Sequence, residues 1–106
     1  MRQIWVVDDD RSIRWVLEKA LTRAQMPFRL FESAADVVKA FEHDTPSVLL
    51  SDIRMHDMSG LDLLAFVKNK YPGLPVIIMT AFSDLDSAVS AFQGGAYEYL
   101  AKPFDI

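Results

Sequence analysis

A chain of 106 residues, 51% of them hydrophobic, has apolar surface for one core and no second one; folding at this length buries roughly 60–70% of the unfolded surface. The formal charge of −4 and a pI near 5.0 exclude the positive surface that phosphate-backbone binding requires, so nucleic acid is not expected as a direct partner. The absence of cysteine rules out disulfide and thiolate chemistry. No apolar stretch approaches the ~20 residues that span a bilayer, and Met1 leads straight into an apolar run without a signal segment. The cytoplasm is therefore the expected location, with no membrane partner.

In chain order, Ile4-Trp5-Val6-Val7 is a short apolar run ending in Asp8-Asp9-Asp10. Ile13, Val16, Leu17, Ala20 and Leu21 then recur at helical spacing and predict an amphipathic helix over 12–22. Phe28 to Phe31 is β-prone, and Ser33 can cap a helix carrying Ala34, Val37, Val38 and Phe41 on one face. Thr45-Pro46 marks a loop before the strand that ends at Asp52. Ser59-Gly60 opens a third helix through Leu61, Leu63, Leu64 and Val67, which stops near Tyr71-Pro72-Gly73. Val76-Ile77-Ile78-Met79 leads to Thr80, Ser83-Asp84 caps a fourth helix ended by Gly94-Gly95, and a last run from Tyr97 ends at Lys102. Strands alternating with helices of this length need right-handed crossovers. The expected fold is a flavodoxin-like, doubly wound α/β domain over 1–106, with a parallel five-stranded sheet in the order 2-1-3-4-5.

In such a sheet the polar residues closing four of the runs, Asp8-Asp9-Asp10, Asp52, Thr80 and Lys102, line one edge. Open α/β sheets bind their ligands in the crevice at that edge. Carboxylates crowded there repel one another unless a divalent cation neutralises them. Mg²⁺ is the natural choice, because it takes oxygen ligands and bridges carboxylates to phosphoryl oxygens.

The stretches Trp5-Val6-Val7-Asp8-Asp9-Asp10, Leu50-Ser51-Asp52-Ile53-Arg54-Met55, Ile78-Met79-Thr80-Ala81 and Tyr99-Leu100-Ala101-Lys102-Pro103-Phe104 together resemble the receiver domain of two-component response regulators. Several stretches, notably 12–18, 74–81 and 83–86, look particularly like receivers of nitrogen-regulatory activators. The resemblance implies Asp52 as nucleophile toward the phosphohistidine of a sensor histidine kinase or a small acyl phosphate. It also implies Lys102 as counter-ion to the phosphoryl group, Thr80 as hydroxyl switch and Tyr99 as a coupled aromatic. For Mg²⁺ it implies Asp9 and Asp52 as ligands with the backbone carbonyl of Arg54. Either Asp8 or Asp10 partners Asp9, the spacing favouring Asp8. A cis Lys102–Pro103 bond aiming Lys102 inward is part of the same pattern. Such a chain is a phosphoacceptor and not an enzyme, beyond its own phosphotransfer and autodephosphorylation. Its output would run through the helix over 83–94 and the last strand, toward ATPase and DNA-binding domains in a longer parent.

Some positions depart from the family pattern. His56 stands where a proline commonly follows Met55, and Ser59 where an aspartate precedes Gly60; both changes are expected to loosen the loop or alter helix capping. The chain stops at Ile106, where a receiver begins its fifth helix, which predicts an uncovered flank, lower stability and self-association. Trp5 and Trp15 read as packing residues, Met55 and Met58 as loop and core-rim fillers. His43 and His56 lack ligand partners at metal spacing. A degenerate receiver serving as an interaction module is the alternative reading. A phosphohydrolase is disfavoured because Arg54 stands two residues beyond Asp52, where an Asp-x-Asp-x-Thr motif needs aspartate. A flavin module is disfavoured because Asp8-Asp9-Asp10 repels phosphate.

Overall fold

β1 (Ile4–Val7), β3 (Val48–Asp52) and β4 (Val76–Ala81) are runs rich in Val, Ile and Leu with no breaker inside, as strands covered on both faces require. The edge strands β2 (Phe28–Phe31) and β5 (Glu98–Lys102) are more open to solvent, with Arg29 exposed on β2 and Glu98, Tyr99 and Leu100 exposed on β5. The computed structural model describes residues 3–81, 89 and 93–102, with the backbone alone at Ala81, Ala101 and Lys102. The five strands lie parallel in the order β2-β1-β3-β4-β5, the flavodoxin-like arrangement. The strand order reverses at β1, so the crevice between the C-terminal ends of β1 and β3 is the topological switch point. Register fixes what meets there: Val7 pairs with Ser51, which sets Asp8 level with Asp52, and Asp52 pairs with Met79, one residue before Thr80.

Alternation along the strands divides the interior in two. Trp5, Val7, Leu49, Val76 and Ile78 face α2 (Ala34–Ala40) and α3 (Gly60–Lys70), packing with Val37, Phe41, Leu63, Leu64 and Val67. Val6, Leu50 and Met79 face α1 (Arg11–Arg23), where Leu17 is buried between the half-buried Ile13 and Leu21. Met55 and Met58 pack at the margin of the larger cluster, as the sequence suggests. The outer end of the α1 face, at Glu98 and Leu100 of β5, is exposed.

Trp5 is fully buried and tilted against Phe31 and Phe41, with ring centroids 5.2 and 5.0 Å away. Trp15, expected to pack, is instead 59% exposed. It lies off the Ile13-Leu17-Leu21 stripe of α1, and the Lys19 ammonium sits 5.6 Å above its ring. Of the helix expected over 83–94, Val89, Gln93 and Gly94 are described, the first two helical and Gly94 in a turn. The rest of that helix, the Lys102–Pro103 bond and the position of any fifth helix lie outside the described residues.

α1 ends in a Schellman motif: the Met26 amide donates to the Leu21 carbonyl and the Gln25 amide to the Thr22 carbonyl, each at 3.0 Å. Gln25 carries the left-handed conformation this requires, with φ of 56°. An L side chain there costs about 1–2 kcal/mol, which glycine avoids at some loss through a freer unfolded chain. Gln25→Gly therefore raises stability by about 0.5–1 kcal/mol in urea unfolding; an unchanged or lower midpoint contradicts the assignment.

Candidate functional site

Three acidic side chains meet at the switch point. Asp8 leaves the end of β1 fully buried, Asp52 ends β3 at 6% exposure, and Asp9 lies exposed between β1 and α1. Each offers a carboxylate oxygen within 4.8 Å of the other two. Asp8 is held from several sides. Its amide donates to the Phe31 carbonyl at 3.1 Å, its carbonyl accepts from Arg14 Nη1 at 2.6 Å, and its Oδ1 accepts the Asp10 amide at 2.8 Å.

Asp10 is placed elsewhere. Its Oδ1 accepts the Ser12 amide at 2.8 Å as the N-cap of α1, so the triplet divides into two carboxylates turned to the crevice and one spent on the helix. Of the two residues that sequence left as the neighbour of Asp9, Asp8 lies in the acidic cluster and Asp10 caps α1. Thr80 is buried at 2% exposure, one residue beyond the row of Asp52. The Lys102 backbone ends β5 opposite Ala81, its side chain lying outside the described residues. Arg54 is exposed, two residues past Asp52, and Tyr99 is 36% exposed on β5.

An all-oxygen set in which two of three carboxylates are nearly dry suits a hard cation. Such ions take carboxylate and carbonyl oxygens, and the ion's charge offsets the mutual repulsion of the donors. The acidic cluster can therefore hold a metal ion, with Asp8, Asp9 and Asp52 as donors.

Comparison with known proteins agrees with this architecture. The Response regulator receiver domain family matches residues 4–106. The chain belongs to the response regulator receiver domain family. It is 66% identical over 103 residues to the DNA-binding transcriptional regulator NtrC of Proteus hauseri, covering 97% of this chain and 22% of that protein. It thus spans about a fifth of the length of that relative. Among solved structures, the apo receiver domain of nitrogen regulatory protein C superposes with a TM-score of 0.86 at 60% identity, covering 98% of this chain and 84% of the other. The receiver domain of NtrX from Brucella abortus gives 0.92 at 31% identity, covering 97% and 88%.

The loop after β3 is tied by several hydrogen bonds to its surroundings. Ser59, expected to alter capping, is itself the N-cap of α3 and accepts the Leu61 and Asp62 amides at 3.1 and 3.2 Å. His56, read as lacking ligand partners at metal spacing, donates its amide to Asp9 Oδ2 at 3.1 Å, and its Nδ1 lies 3.3 Å from the same oxygen. Asp57 accepts the Ala34 and Ala35 amides of α2 at 3.3 and 2.9 Å. Ser59 thus takes the capping role at position 59, and His56 bonds across to the β1–α1 loop. The contacts of His56 and Asp57 join positions far apart in sequence, and no local pattern signals them.

Gly60 is a further requirement that periodicity did not show. Its amide donates to the Ile53 carbonyl at 2.7 Å, and a Cβ there would fall inside contact distance of the Asp52 carbonyl oxygen and 2.7 Å from Ile53 Cα. α3 thus rests directly on the backbone that carries Asp52. Gly60→Ala pushes the two apart and lowers stability by about 1–3 kcal/mol, or more if the backbone cannot yield; wild-type stability in urea unfolding would show that the approach is not tight.

The Asp57 carboxyl is held below its ordinary 3.8. Slight burial works to raise it, but the amides of Ala35 and Ala34, its own amide and the charge of nearby His56 together outweigh that effect. A depressed folded value contributes stability present above the unfolded value and lost as pH falls through the folded one. The stability difference between wild type and Asp57→Ala is therefore full at neutral pH and closes below about pH 3.8. Urea midpoints measured across that range check it, a gap that stays constant with pH being the contrary result.

Proposed function

We propose that this chain is one receiver unit that takes a phosphoryl group on Asp52 in a Mg²⁺-dependent reaction, with a sensor histidine kinase as donor. The observation that carries the reading is the convergence of Asp8, Asp9 and Asp52 at the switch point of the sheet. Asp8, Asp9, Asp52 and the Arg54 carbonyl are the proposed protein ligands. The ion supplies Lewis-acid stabilisation of the transferring phosphoryl oxygens when bound.

A carboxylate oxygen of Asp52 attacks phosphorus as the P–N bond to the donor imidazole breaks, and the imidazole, already protonated on its other ring nitrogen, leaves as the neutral base with the bonding pair. β3 orients this carboxylate through its position in the row from Asp8 to Met79. Little covalent work remains for other side chains in phosphoryl transfer, so positioning and charge dominate. Lys102 is the proposed counter-ion to the new phosphoryl oxygens, and the Thr80 hydroxyl their hydrogen-bond donor. A movement of Thr80 toward the phosphoryl group, followed by a change in exposure of Tyr99, would pass the event to the β4–β5 side of the sheet.

In a longer parent resembling NtrC, that face would regulate an ATPase and DNA-binding output in transcriptional control of nitrogen use. Among the described residues no helix is long and apolar enough to cross a membrane, and a cytoplasmic site of action is part of the proposal. Self-association of the chain is a further expectation.

Incubation with acetyl phosphate and Mg²⁺, followed by intact mass measurement, tests the chemistry. One phosphoryl group is expected on the wild type and none on Asp52→Asn, with loss of the adduct when Mg²⁺ is chelated beforehand. Equal labelling of both proteins places the acceptor elsewhere.

A further inference from the structure

The loop over 53–59 is closed at its base by an antiparallel bridge between Arg54 and Ser59 and by the Gly60 amide on the Ile53 carbonyl at 2.7 Å. At its tip, two adjacent residues reach in different directions. The His56 amide and ring hold Oδ2 of Asp9, 47 positions earlier in the chain, at 3.1 and 3.3 Å. The two oxygens of Asp57 hold the first amides of α2, at Ala34 and Ala35, 3.3 and 2.9 Å away. The tip, the β1–α1 loop and the start of α2 enclose one cleft of about 420 Å³, lined by Asp9, Glu32, Ser33, Asp36 and His56.

We propose that His56 and Asp57 form a staple that positions the Asp9 carboxylate for cation binding and makes the first turn of α2 part of the metal site's support. This rests on the Mg²⁺ reading given above. Asp9 is the exposed member of the acidic cluster, and without a fixed partner its carboxylate can rotate into solvent. A backbone amide cannot swing away, so Oδ2 is pinned and the remaining carboxylate oxygen is left for the cation. Proline at position 56, the common family residue, has no amide hydrogen and cannot make this bond. Hydrogen-bond partners behind metal ligands typically govern affinity by about 10–100-fold.

The carboxylate of Asp57 bonds to the α2 amides at Ala34 and Ala35. Its effect runs through the covalent neighbour: an anchored Asp57 keeps the tip down and the His56 amide aimed at Asp9. Charge-assisted bonds from a carboxylate to backbone amides at a helix start are among the stronger local ties. Linkage makes the coupling reciprocal, so whatever factor the clasp adds to cation affinity, the cation returns to the clasp. The α2 amides should therefore report on a cation they do not touch.

Mg²⁺ titration by calorimetry, with fold checked by circular dichroism and urea unfolding, separates positioning from folding. His56→Pro is expected to weaken Mg²⁺ binding about 10-fold, whereas His56→Ala, which keeps the amide, loses less. Asp57→Ala is expected to weaken it several-fold while remaining folded, and Asp57→Asn, which keeps an acceptor oxygen, to recover part of the loss. Amide hydrogen exchange at Ala34 and Ala35 is expected to slow on adding Mg²⁺ to the wild type and to respond less in Asp57→Ala. Wild-type Mg²⁺ affinity in folded Asp57→Ala, with unaltered exchange at Ala34 and Ala35, overturns the staple and leaves the metal site standing. A wild type that binds no Mg²⁺ overturns the metal site and the staple with it.

Discussion

Three carboxylates, each with an oxygen within 4.8 Å of the others, set the terms for the structure around them. Left alone they repel, and burial of Asp8 and Asp52 sharpens that repulsion by removing water. A fold can hold such a group together only if backbone geometry, more than side-chain choice, keeps the donors in place. Parallel strands do this well. Hydrogen-bonded register between β1 and β3 sets Asp8 level with Asp52, and the buried residues immediately before them, Val7 and Ser51, cannot shift without disturbing the sheet. The acidic edge is thus supported by the same apolar contacts that stabilise the domain.

Around this edge, neighbouring polar residues are committed to other tasks. Asp10 caps α1, Ser33 caps α2 and Ser59 caps α3, each accepting amides that a helix start leaves without partners. Arg14 reaches back from the first turns of α1 to the Asp8 carbonyl. The helix starts and the acidic crevice therefore share one side of the molecule, and the capping bonds that stop the helices from fraying also fix the loops bearing Asp8 and Asp9. Gly60 adds a steric version of the same economy, since α3 can seat against Asp52 and Ile53 only because position 60 lacks a side chain.

What sequence could show follows the range of the forces involved. Apolar runs closed by polar residues are local signals, so the strand order, the alignment of Asp8, Asp52 and Thr80 at one edge, and helix starts such as Ser33 and Ser59 were legible. The triplet Asp8-Asp9-Asp10 was legible only in part. Choosing among three consecutive carboxylates depends on where the helix begins, and helix boundaries shift easily by a residue. Trp15 misled because an aromatic residue invites a buried reading, while its place on α1 falls outside the apolar stripe and suits contact with Lys19. His56 and Asp57 were illegible, because their partners lie 47 and 22 to 23 residues away and are brought near only by the finished fold.

Those two loop residues also show how a departure from a family pattern can carry a function of its own. Replacement of a proline is ordinarily read as a loss of rigidity, since φ is no longer fixed. At position 56 the same replacement restores an amide hydrogen, and the structure gives that hydrogen to Asp9. The rigidity a ring would supply locally is supplied instead by bonds to two distant segments, Asp9 on one side and the α2 amides on the other. The difference matters for signalling. A ring stiffens a loop regardless of what happens nearby, whereas hydrogen bonds to a carboxylate of the acidic cluster and to a helix start depend on both. In this receiver, hydrogen bonds join the loop after β3 to Asp9 and to the start of α2, the helix that follows the edge strand β2 at the far end of the sheet from β5.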